Sequence, residues 1–170
     1  MPNQLAPVRR TITLFTAIAT IFMLFAPSAA AAKADLVWYL STPTRTVVDL
    51  SAPGSDVGDI SISSGTLARK PAGTAIGFYT TSQVTVRAGL PGGQENRDVS
   101  LTLSAPGGVI YAKSLITATP NVPPSAAQVF AIIGGTGEYA GAAGELIHAG
   151  FTSSGSRAAI YFSDRGTTFN

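Results

Sequence analysis

His148 is the only histidine and there is no cysteine, which excludes a metal centre built on His and Cys ligands. As a general base His148 would need a partner nucleophile. The chain has no G-x-S-x-G elbow, and its serines fall in turns and alternating segments, so His148 stands as a lone candidate. Asp56 and Asp59 bracket Gly58; two carboxylates are too few oxygens for calcium, so they read as turn formers. The most distinctive stretch is IIGGTGEYAGAAG, residues 132–144, which contains G-x-G-x-x-A from Gly135 to Ala140. A dinucleotide site would need a helix after these glycines and an acid about 20 residues further on. The cluster lies close to the C-terminus, and Gly141 and Gly144 disfavour a helix there. Gly134, Gly135, Gly137 and Gly144 read instead as a tight strand connection, with φ > 0 or close backbone approach. Glu138, the one acid inside the cluster, is a loop acid placed where barrel mouths carry function.

Tyr79 is the strongest candidate for contact with a small molecule. Alternation puts Gly77, Tyr79, Thr81 and Gln83 on one face of a long strand, with Ile76, Phe78 and Thr80 on the other. A phenol over an apolar cavity stacks on a ligand and donates a hydrogen bond. Trp38 and Tyr39 are neighbours on a strand, so one of them looks inward, and Tyr111 sits near the turn of a hairpin. The candidate pocket is therefore Tyr79, Trp38, Tyr39, Tyr111, Glu138 and His148.

The elements that position these residues are short and β-like. Apolar or alternating runs occur at 36–40, 44–50, 59–63, 74–87, 99–103, 109–116, 128–133, 145–151 and 158–162. Pro- and Gly-rich turns separate them, and Ala105-Pro-Gly-Gly108 marks the clearest hairpin. No window shows a helical period. Seven to nine such strands predict an all-β sandwich or barrel, and eight close into a barrel with room for side chains or one small ligand.

Two kinds of sequence are joined in the chain. Residues 1–34 hold Arg9, Arg10 and Lys33 and no acid, whereas from Asp35 onward 8 basic residues face 9 acidic ones. Without a clustered basic stripe, a nucleic-acid partner is excluded. The leader has a positive start and a 15-residue apolar run, Ile12 to Ala26, followed by Ser28-Ala-Ala-Ala-Ala-Lys-Ala34. That order describes a signal peptide cleaved after Ala32 or Ala34. The run falls short of the about 20 residues a membrane helix needs, so no stable span is expected after processing. The expectation is a secreted or extracytoplasmic domain, residues 35–170. Its low charge, with apolar strands on both faces, predicts a homo-oligomer.

Residues 130–144, FAIIGGTGEYAGAAG, resemble the Gly-Gly-Thr-Gly segment of plant dirigent proteins and allene oxide cyclases. Gly73-Thr-Ala-Ile-Gly-Phe-Tyr79 resembles the G-x-A-x-G-F-Y stretch of a dirigent strand, and Ser64-Gly-Thr-Leu67 resembles the serine-glycine-x-leucine of the cyclases. The resemblance implies an eight-stranded antiparallel up-and-down barrel, usually a homotrimer, with a pocket for a small, largely apolar molecule. The families' reactive positions do not carry over: Arg69-Lys-Pro71 stands near the place of a dirigent Asp-Asp-Pro, and Leu36–Leu40 lacks the cyclase Glu. The function this points to is steering the cyclisation or stereoselective coupling of a hydrophobic substrate, without metal, flavin or nucleotide. A non-catalytic carrier or a cell-envelope interaction protein is the alternative on the same barrel. A buried acid or histidine facing the cavity would favour the catalyst; a side-chain-filled barrel would favour the envelope protein.

Overall fold

The computed structural model describes residues 33–50, 54, 56–124, 126–152 and 154–163, with the side chains of Gly150 and Phe151 left aside. The signal-peptide expectation falls, apart from Lys33 and Ala34, outside them. Nine strands follow in order: β1 Leu36–Leu40, β2 Thr44–Val48, β3 Ile60–Ala68, β4 Ala75–Leu90, β5 Gln94–Ala105, β6 Gly108–Ala118, β7 Gln128–Gly135, β8 Gly144–Thr152 and β9 Gly155–Phe162. Each pairs antiparallel with its neighbours from β2 through β9, and β1 closes the sheet by pairing with both β9 and β3.

The nine strands occupy eight lanes. Along β3, β1 takes one end, through Leu40↔Leu67, and β2 takes the other, from Thr44↔Ser64 to Val48↔Ile60. They are two halves of one lane interrupted at Ser41-Thr-Pro43, where proline has no N–H for the ladder. Side chains mend the break. Ser41 Oγ accepts the Thr66 N–H at 2.9 Å, and the Tyr79 hydroxyl donates to the Ser41 carbonyl at 2.7 Å. The result is the closed eight-stranded antiparallel barrel that strand count and resemblance predicted, reached by splitting one strand in two.

Register fixes what the barrel encloses, because side chains alternate across each strand. Inward positions of β5 are Glu95, Arg97, Val99, Leu101 and Leu103; those of β4 include Tyr79, Thr81, Gln83 and Thr85. Phe130 and Leu146 pair across β7 and β8, and Leu146 pairs with Ile160 on β9. The interior is therefore graded along the axis. One end is packed solid by Leu40, Leu67, Leu103, Ile110, Leu146 and Ile160, all essentially without exposed surface. Burial of such side chains contributes ~1.5–3 kcal/mol each, which makes this end the anchor of the fold. The other end carries Glu95, Arg97 and Gln83.

The glycine cluster caps the apolar end. Gly137–Tyr139 forms a single 3₁₀ turn that swings Tyr139 edge-on to Trp38, ring centres 6.1 Å apart, and stacks it on Phe162 at 6.3 Å. Gly135 does not take a left-handed φ; it is fixed by close approach, since a Cβ there would lie 2.7 Å from the Val109 carbonyl oxygen. Gly137, at φ +61°, is where left-handed backbone is required.

Candidate functional site

Between the two ends the barrel is open. A cavity of about 560 Å³ is walled by Tyr79, Val99, Ile116, Phe130 and His148 and covered by Asn121 to Pro124. Its volume lies within the roughly 300–1,000 Å³ of small-molecule sites. A smaller recess of about 90 Å³, lined by Glu95, Ser61 and Thr85, shares Arg45, Gln83, Arg97 and Asn121 with it. These four residues separate the apolar chamber from the polar recess.

Wall and cover have local causes. The β6–β7 ladder shifts register between Tyr111 and Ala112 and ends at Lys113↔Ala131. Beyond it Ser114 Oγ donates to the Val129 carbonyl at 2.7 Å in place of a backbone bond. The two strands part there, and the proline-rich segment that follows β6 lines both the cavity and an outer groove beside Leu115 and Val129.

His148 is 5% exposed, with Nε2 2.7 Å from Ser156 Oγ and its ring tilted against Phe130. Burial pushes its pKa down to about 4, so the imidazole is neutral at neutral pH and a weak base. Tyr79 is 2% exposed. Its ring lies over Gly65, where a Cβ would come within 2.6 Å of a ring carbon, and burial pushes its pKa up to about 12. The hydroxyl proton that sequence reasoning assigned to a ligand is engaged by Ser41; Tyr79 offers the cavity its ring.

The opposite wall is ionic. Arg97 forms an ion pair with Glu95 through both Nε and Nη2, and its Nη1 donates to Gln83 Oε1 at 3.1 Å. Arg45, inward on β2 opposite Ser63, donates through Nε to Ser61 Oγ at 2.7 Å. Burial lowers the pKa of Arg45, as does neighbouring Arg97, with Glu95 opposing. Among the described residues two buried side-chain oxygens have no partner, Thr81 Oγ1 and Glu95 Oε2. Buried polar atoms are rarely left so. Thr81 lines the chamber and Glu95 the recess.

Of the six predicted pocket residues, Tyr79 and His148 line the cavity. Trp38 is the inward member of its pair but sits in the packed end against Tyr139. Tyr39 alternates to the outer face. Tyr111 is 40% exposed outside the barrel, and Glu138 belongs to the capping turn, its N–H bonded to the Gly107 carbonyl at 2.7 Å. Asp59 accepts the N–H groups of Leu50 and Asp56, a turn-forming role. Sequence reasoning missed Arg45, Glu95 and Arg97. Glu95 and Arg97 continue the alternation of Val99, Leu101 and Leu103, a signal masked in the sequence by their charge.

No protein-family model matches the chain, and no curated protein matches it. Among solved structures it is similar to a pyocyanin demethylase, with TM-score 0.64 and 26% identity over 75% of this chain and 98% of that one. It is also similar to the Diels-Alderase AbmU from Streptomyces koyangensis, with TM-score 0.52 and 16% identity over 88% of this chain and 80% of that one. The second likeness is one of fold; both neighbours are small barrels named for enzymatic reactions.

Proposed function

We propose that this barrel is an exported, cofactor-independent enzyme that holds a small hydrophobic molecule in its interior and steers its cyclisation or stereoselective coupling. The observation that carries the reading is a largely apolar chamber with neutral His148 on one wall and Arg97, paired from behind with Glu95, on the other. Apolar walls fold the substrate into a reactive conformer, which lowers the entropic part of the barrier. Fixed polar groups then stabilise charge as it develops, His148 as a neutral hydrogen-bonding group and Arg97 with Gln83 as donors. The likeness to a demethylase supports an enzyme rather than a passive barrel. Membership of the allene oxide cyclase and dirigent-like families belongs to the same proposal, supported by the glycine cluster and by Gly65 beneath Tyr79. So does a homo-oligomer, probed as a trimer by sedimentation; exposed Tyr111, Leu115, Val129 and Ile133 on β6 and β7 support it.

The test is native mass spectrometry of protein recovered from its host, followed by incubation of any retained compound with fresh protein. A single cyclised or coupled stereoisomer is the expected product. A compound returned unchanged would move the carrier reading ahead.

A further inference from the structure

Arg45 and Arg97 both line the chamber, yet no carboxylate does. Glu95 and Asp59 line the recess behind them, and of these Glu95 is the one that forms an ion pair, with Arg97. A guanidinium has five N–H donors in a fixed fork. Arg97 commits its Nε and one N–H from each terminal nitrogen to Glu95 and Gln83, which leaves two donors. Among the described residues Arg45 commits only Nε, to Ser61, which leaves its four terminal donors. No ion pair forms at Arg45 among the described residues. Ser61 and Glu95 thus hold the two guanidinium groups from behind, side by side at one end of an apolar chamber.

We propose that the ligand of this cavity is an organic anion, an apolar body carrying a carboxylate, sulfonate or comparably acidic oxygen group that seats on Arg45 and Arg97. The inference rests on the barrel interior being the binding site, as in the proposed function. The apolar body lies against Val99, Ile116, Phe130 and the ring of Tyr79, all on the same cavity. Arg45 and Arg97 oppose each other's charge, and an anion between them relieves that opposition. A neutral ligand of the same shape gains the walls but not the charge.

Two fluorescent probes with one aromatic skeleton separate these contributions: 1-anilinonaphthalene-8-sulfonate, which is anionic, and N-phenyl-1-naphthylamine, which is neutral. The full chain without its leader is titrated with each. The sulfonate is expected to bind at least about tenfold more tightly than the amine. Arg45→Gln lowers sulfonate affinity about tenfold and leaves the amine unchanged, and Arg45→Lys restores part of the loss. Arg45 lies at the exposed mouth, so these variants fold. Equal binding of both probes, or an equal loss of both in Arg45→Gln, overturns the anion inference and leaves the pocket standing. Failure of both probes to bind overturns the pocket and the inference together.

Discussion

The hydroxyl of Tyr79 donates to the carbonyl of Ser41 across the break between β1 and β2, at 2.7 Å. That bond makes Tyr79 part of the barrel's closure as well as of its lining. Tyr79→Phe leaves the Ser41 carbonyl without this partner and is expected to lower stability by about 1 kcal/mol in urea unfolding. Ligand affinity should change little, because the ring remains. A fall in affinity with unchanged stability would instead place the hydroxyl on the ligand.

His148 makes stability depend on pH. Its folded pKa of about 4 lies below the unfolded 6.5, so the unfolded chain binds more protons between these values. The contribution is complete above pH 6.5 and is lost as pH falls through about 4, up to roughly 3 kcal/mol in all. His148→Gln keeps a polar partner for Ser156 and should flatten this part of the profile. A wild-type curve equally flat from pH 7 to 4.5 would show that His148 is protonated without cost.

Glu95 and Arg97 form a buried pair, their side chains 3% and 11% exposed. Arg97→Met alone leaves a buried carboxylate unpaired and should cost ~3–5 kcal/mol. Adding Glu95→Gln should recover most of that loss. Additive losses in the two single variants would mean that the residues do not act as a pair.

The apolar half of the barrel was legible in the sequence, because Leu101, Leu103, Leu146 and Ile160 follow the alternation of strands packed against a core. The polar half was not. The strand ending at Ala105 reads from Val99 in the sequence but starts at Gln94, because Glu95 and Arg97 are charged at inward positions. A charged run after a Pro-Gly-Gly turn looks like solvated loop until the barrel supplies a polar interior to receive it. β3 likewise runs on to Ala68 through Gly65, a strand-weakening residue kept there by the Tyr79 ring. The face of Tyr79, Thr81 and Gln83 could be read by alternation alone. That the Tyr79 hydroxyl would reach Ser41, 38 residues away, depends on the break at Pro43 and on barrel closure.

Neighbouring residues on β6 and β5 report on opposite sides of the wall, which makes methyl NMR the most direct test of a ligand inside the barrel. Val99 lines the cavity and not the outer groove, whereas Leu115, Val129 and Ile133 are exposed outside. Titration with 1-anilinonaphthalene-8-sulfonate should shift the methyls of Val99 and leave those of Ile133 and Leu115 in place. Shifts confined to Leu115, Val129 and Ile133, with Val99 unmoved, would contradict an internal site.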